Sequence, residues 1–287
     1  MSPRPLYWSI RRELWESRSI YIAPLTVAAV FLFGFMLSTI TLSKRMKDVL
    51  ALPPAKQPNA LAIPFSIAAS LILMTGFIVA IFYCLDALNG ERRDRSILFW
   101  KSLPVSDRTT VLSKAIVPLA VVPLLTFAIA LCTQLIMLMV STIALVGAGL
   151  NPVTYWARLP LFSMMLVMSY GLTVHVLWFS PLYGWLLLVS AWARRAVALW
   201  ALLPFLAIGV VERVAFGTSH LAALMKYRTI GAMKEAFVAD IGNAPITRLA
   251  QITPGRFLST PGLWAGLVLC AIFLAIAVRL RRNREPI

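Results

Sequence analysis

The sequence predicts an all-α integral membrane protein: six transmembrane helices preceded by an amphipathic helix lying in the membrane interface. Three observations carry this. Of 287 residues, 60% are hydrophobic and 13% charged, where a soluble domain carries roughly 25% charged residues. Mean hydropathy is +0.83. The charges, moreover, are gathered in short stretches between long uncharged runs. Such a composition excludes a soluble enzyme, a disordered chain and a secreted disulfide scaffold.

The distance between successive charged residues is the ruler for each span. The intervals 19–43, 57–85, 115–157, 159–193, 196–211 and 257–278 contain no Asp, Glu, Lys or Arg. A hydrocarbon core about 30 Å thick needs roughly 20 helical residues, and five intervals supply them outright. The interval 196–211 has only 16 residues, so it needs Arg194–Arg195 or Glu212 at its edges, with the arginines reaching back to the headgroups. The expected spans are 20–42, 62–86, 114–146, 160–190, 196–216 and 260–280, in a single transmembrane domain over 1–287. The runs are continuously apolar, without the period-two alternation of a β-barrel. Pro118 and Pro123 are expected to kink the third span and Pro181 the fourth.

Lys and Arg number 27 against 11 Asp and Glu, a net charge of +16. A basic excess alone also suits nucleic acid. Its confinement to the segments between spans makes these residues orienting and lipid-headgroup groups instead, so membrane lipid is an expected partner and nucleic acid is not. With both termini cytoplasmic, sixteen basic residues lie inside and eleven outside, accounting for all 27. That bias sets the expected orientation, with both termini inside. Lys44, Arg45 and Lys47 stand against it. Cys84, Cys132 and Cys270 each lie in or at the end of an apolar run, and an odd count there argues against disulfides and a Cys-based metal site.

Residues 6–18 place Tyr7, Ile10 and Leu14 on one helical face, flanked by Trp8 and Trp15, with Arg11, Arg12, Glu13, Glu16 and Arg18 largely opposite. This pattern predicts a helix in the cytoplasmic interface; a simple extension of the first span is the alternative. Residues 217–258 form the outer excursion, where Leu221, Leu224 and Met225, then Ile230 and Met233, predict short amphipathic helices.

The cytoplasmic loop 87–113 is the most informative segment. It concentrates charge, then presents Ile97, Leu98, Phe99 and Trp100, then breaks at Pro104. A short helix over Asp94–Ser102 would display these apolar groups outside the membrane, which suits a partner groove. Interfacial anchoring of Phe99 and Trp100 is the other reading, and physics alone leaves both open. Ser106 is the expected N-cap of the helix leading into the third span.

The order NGERRDRSILFWKSLPVSD…LSK, from Asn89 to Lys114, resembles the loop after the second span of ABC-2 type transporter permeases, the membrane subunits of bacterial ABC exporters. In that family an ER-basic stretch and SLPVS precede a Lys at the start of the third span. The interfacial helix, six spans and outer excursion fit the same pattern, as does the closing FLSTPGLW…RLRRNREPI. The resemblance implies a coupling helix around Arg95–Leu103, with Arg95, Ile97, Leu98, Phe99, Trp100 and Leu103 seated in a groove of a cytoplasmic ABC ATPase. Glu91, Arg92, Arg93 and Asp94 would set its approach electrostatically, and residues 191–195 would make a lesser contact. It also implies a second permease copy, as a homodimer or close heterodimer. No cargo class is identified.

No G-x-x-x-x-G-K-[ST] stretch occurs, so the chain has no phosphate-cradling loop. ATP-Mg is expected on the partner ATPase, and no cofactor on this chain. His175 and His220 are the only histidines, and no H-E-x-x-H or G-x-S-x-G is present, so a non-catalytic role is expected. His175 and Gln134 are polar groups inside expected spans. They are either points on a substrate path or side chains satisfied by one hydrogen bond to a neighbouring helix. Glu212 and Arg213 are expected to anchor the outer end of the fifth span. Met164, Met165 and Met168 suit packing better than a metal path. Two other classes stay open beside the exporter: an ion-coupled secondary transporter, which needs polar groups at the midplane, and a non-transporting scaffold or regulatory subunit.

Overall fold

A computed structural model describes residues 4–54, 56–94, 106–238 and 249–283. Its six helices long and apolar enough to cross a membrane are Ser19–Thr41, Gln57–Arg93, Asp107–Gly147, Pro152–Trp192, Val197–Phe216 and Pro261–Asn283. The chain is therefore a multi-pass helical membrane protein. Charge-free length finds these helices because, within lipid, a helix must satisfy its own backbone while carrying no unpaired charge.

Helix α1 (Arg4–Glu16) precedes α2 (Ser19–Ser38). A 3₁₀ turn over Thr39–Thr41 leads into α3 (Leu42–Leu50), an amphipathic helix that buries Met46 and exposes Lys44, Arg45 and Lys47. The sequence reading ended the first span at residue 42 and placed no helix beyond it. Leu42, Met46 and Val49, at helical spacing, are its signal. The second span is α4 (Gln57–Asp86), followed by the short α5 (Asn89–Arg93).

The third span is α6 (Asp107–Ile116), a π-helical turn over Val117–Val121, and α7 (Val122–Gly147). Pro118 lies in that turn and Pro123 just after it. A proline without an N–H breaks the ladder, and the wider turn re-routes it. Helix α7 ends in a Schellman motif: Gly149 takes φ +72°, Leu150 N donates to Leu145 O at 2.9 Å and Gly149 N to Val146 O at 3.0 Å. Glycine adopts that left-handed conformation without a Cβ clash.

Helix α8 (Pro152–Arg158) precedes α9 (Leu161–Trp192), the central helix, whose Trp178, Tyr183, Leu187 and Val189 are buried. A tight turn with Ala196 at φ +50° leads to α10 (Val197–Val211), and a π-helical turn over Glu212–Phe216 finishes that span. Next come α11 (His220–Ala236), α12 (Pro254–Ser259) and α13 (Pro261–Asn283). Helix α13 lies tight along α9, where a Cβ on Gly184 would be 3.2 Å from Cys270 Cα. Helix α10 is peripheral, with Leu199, Leu202, Leu206 and Val210 exposed.

Helix α11 does not bury the face expected of it. Leu224, Met225, Ile230 and Met233 are exposed, while Gly231, Ala232 and Ala236 are buried. Small residues win here because the helix approaches Trp178 closely: a Cβ on Gly231 would lie 2.9 Å from the indole. Helix α1 and the end of α13 meet at one end of the bundle, since Glu13 of α1 reaches Lys114 of α6, and Arg281 of α13 reaches Glu91 of α5. We call it the α1 end; α3, α8 and α11 lie at the other.

Candidate functional site

The site at the α1 end grows from Lys114, in the last turn of α6. Its ammonium is buried, which is tolerable only with partners of opposite charge. It donates to both carboxylate oxygens of Glu13, at 2.9 and 3.1 Å, and stands 3.1 Å from Glu91 Oε1. Arg281 Nη1 donates to the other Glu91 oxygen, and its Nε to Asp107 Oδ1 at 3.2 Å. Arg12 adds a bond to Glu91 Oε1 at 3.1 Å and another to Glu16 at 2.8 Å. Tyr83 OH, from α4, donates to Glu13 Oε2 at 2.7 Å.

The core of this network sets three cations (Arg12, Lys114, Arg281) against three carboxylates (Glu13, Glu91, Asp107), so it is formally neutral. It ties α1, α4, α5, α6 and α13 together at one level. Beside it opens a cavity of about 690 Å³, lined by Arg12, Glu13, Glu16, Asp86, Glu91 and Lys114 among others.

A second set of bonds fastens α5 to α9. Leu88 N and Asn89 N both donate to Ser190 Oγ, at 3.1 and 3.0 Å. Arg92 Nη1 donates to Ala191 O at 2.8 Å and Ala193 O at 3.3 Å. These are carbonyls at the C-terminal end of α9, where a cation is favoured. On the far side of the loop, Ser106 Oγ accepts from Thr109 N at 3.2 Å and caps α6. Both feet of segment 95–105 thus stand on ordered structure.

Of the residues singled out in the sequence, Arg95, Ile97, Leu98, Phe99, Trp100 and Leu103 lie outside the described residues, as does nearly all of the expected Asp94–Ser102 helix. Glu91 and Arg92 are described, and their charges face inward. A charge that steers an approaching protein must be exposed; those two are buried, whereas Arg93 and Asp94 are exposed. Glu91 and Arg92 instead tie α5 to its neighbours in the bundle. Residues 191–193 lie directly against Arg92.

Gln134 and His175 are not brought together. Gln134 Nε2 donates to Phe65 O at 3.3 Å. His175 Nε2 is 3.0 Å from Tyr183 OH and its ring packs on Phe77, centroids 5.0 Å apart. Phe65 and Phe77 are twelve residues apart on α4, about 18 Å along its axis. The His175 bond is to its own helix two turns on, rather than to a neighbouring one.

Sequence reasoning singled out none of Tyr83, Asp107 and Arg281, which complete the network, and it misplaced Glu13 and Glu212. Glu13 was grouped with the outward charges of α1, yet it lies three residues after Ile10, at the edge of the apolar stripe, and is buried. Glu212 was read as an interfacial anchor. Its carboxylate instead accepts from Thr218 Oγ1 at 2.9 Å and from the backbone N–H groups of His220 and Leu221, capping α11. Acceptors at a helix N-terminus satisfy donors that have no partner within the helix.

Among the described residues no group of three or more His, Cys, Asp or Glu side chains is placed to hold a metal ion. In comparisons with known proteins, no family model, no curated protein and no solved structure matches the chain.

Proposed function

We propose that this chain is the membrane-spanning permease subunit of an ATP-driven exporter of the ABC-2 type, in a bacterial cytoplasmic membrane with both termini cytoplasmic. The observation that carries the reading is the anchorage of segment 95–105. The segment matching the family's coupling helix is flanked on both sides by residues tied into the α1-end bracing. A force applied to the loop would reach α1 and α13 through Glu91 and Lys114, and α9 through Arg92. Helices joined by short charged bonds move as a unit. This is the mechanical requirement for a subunit that binds no ATP of its own and works with a separate ATPase carrying ATP-Mg.

On this reading Ile97, Leu98, Phe99, Trp100 and Leu103 seat in the ATPase groove, and Arg93 and Asp94 guide the approach. A second permease copy completes the pathway, and the exposed apolar face of α10 is available to lipid or to that copy. Gln134 and His175 lie at separate depths, so neither forms a paired polar site with the other.

The experiment is co-purification from native membranes of wild type beside a Phe99→Asp, Trp100→Asp double variant, with ATP hydrolysis assayed in the eluate. An ATPase recovered with wild type and lost with the variant supports the proposal. Wild-type eluate without ATPase, under conditions that keep membrane complexes intact, overturns it.

A further inference from the structure

At the end opposite the ion network, an apolar slot of about 620 Å³ opens between α2, α3 and α4. That volume lies within the about 300–1,000 Å³ range of small-molecule clefts. Its walls include Phe31, Phe35, Leu61 and Pro64, and its polar lining groups include Ser38 and Arg45. The Ser38 hydroxyl is engaged with Phe35 O at 2.7 Å, so it offers little to a polar solute. Val30, Ile63 and Ile67 at the edge are exposed, which opens the slot sideways, where a helix bundle meets acyl chains. Gly34 lines it too, and a Cβ there would meet nothing within 4 Å.

The mouth is basic. Arg45 stands at it, with Lys44 and Lys47 on the same short helix, all exposed. Among the described residues none of the three has an ion pair. Helix α3 follows the end of α2 and precedes α4, which places it at headgroup depth. The three cations are also among the basic residues that run against the charge bias of the expected orientation, so orientation gives no reason for them.

We propose that this slot binds one anionic phospholipid, with an acyl chain between α2 and α4 and the phosphate at Arg45. The apolar wall, open sideways to lipid, suits an acyl group, and the exposed cations at the mouth suit a negative headgroup. The proposal does not depend on the exporter reading.

Native mass spectrometry of the full chain, titrated with phosphatidylglycerol or phosphatidylcholine of identical acyl chains, tests it. The expected result is one phosphatidylglycerol bound well before the rest. Each juxtamembrane cation contributes about fivefold to affinity for an anionic lipid surface, so the charge reversal Arg45→Glu is expected to weaken that step roughly twentyfold. Phosphatidylcholine binding is unchanged in that variant, while Gly34→Leu, which fills the slot, removes the site for both lipids. Unaltered phosphatidylglycerol binding in both variants overturns the proposal. Displacement of the lipid by inorganic phosphate also overturns it, because the site would then recognise a free anion. Should either variant fold poorly, phosphatidylglycerol with a photoreactive acyl chain decides on the wild type: cross-links within residues 30–67 or at Tyr155 support the slot, and cross-links elsewhere reject it.

Discussion

The two ends of the bundle each draw a cation out of water but satisfy it differently. At the α1 end, Lys114 and Arg281 are met by carboxylates drawn from α1, α5 and α6, and Glu91 serves both. At the opposite end, the half-buried Arg228 of α11 is met by carbonyls: it donates to Trp178 O at 2.5 Å and Gly262 O at 3.0 Å, over the Trp178 ring at 4.7 Å. Trp178 Nε1 returns a bond to Arg228 O at 2.7 Å. Desolvation pulls the Arg228 pKa below its ordinary value, though a guanidinium stays charged in proteins. The contrast is between a shared network, in which several helices depend on the same charges, and a local clamp fixing one helix. A shared network transmits a displacement among its members; a clamp holds its own helix still.

The comparison makes graded predictions. The largest effect is expected of Lys114→Met, which leaves Glu13 and Glu91 buried without their shared cation. Breaking a buried pair from one side costs about 3–5 kcal/mol, read as a lowered unfolding midpoint in detergent. Arg228→Met is expected to cost less, about 2–3 kcal/mol, because it removes charged bonds to neutral carbonyls. Its effect should be confined to faster hydrogen exchange in α11 and α12, with the α1 end unchanged. An equal response at both ends would erase the distinction drawn here.

Two further substitutions sharpen it. Gly184→Val forces side-chain atoms onto Cys270, midway between the ends, where overpacking costs about 1–3 kcal/mol. It should loosen α9 from α13 without altering either charged cluster, as hydrogen exchange along those helices would report. The smallest effect belongs to Ser106→Ala, which removes one helix cap at a cost of about 1 kcal/mol. It should appear as fraying of the first turn of α6 rather than a change in global melting.

How much of this was legible depended on the range of the interaction. The six long helices follow from charge-free length, a local property. Ser106 is local too: its hydroxyl caps a donor three residues on. Lys114 stood out as the basic residue opening the third span, but its partner Glu13 lies 101 residues earlier. Nothing local ties them. Glu91 looked like an exposed charge in an exposed loop because its partners come from α1, α6 and α13. Helix α3 was overlooked because a ruler that counts to the next charge stops where an amphipathic helix begins. The face of α11 misled because Gly231 and Ala232 are buried for closeness, which hydrophobic periodicity does not score. The cation clamp at Arg228 needed Trp178 and Gly262, distant residues known only from packing.

That the α1 end is one shared ion network is tested most directly by a double-mutant cycle on Glu13→Gln and Arg281→Met. These residues belong to α1 and α13 and are linked through Lys114 and Glu91. Unfolding free energies are measured for wild type, both single variants and the double variant. A coupling of about 1–3 kcal/mol is expected, because removing either group rearranges the charges on which the other depends. Additivity to within about 0.5 kcal/mol would contradict it, since independent sites add.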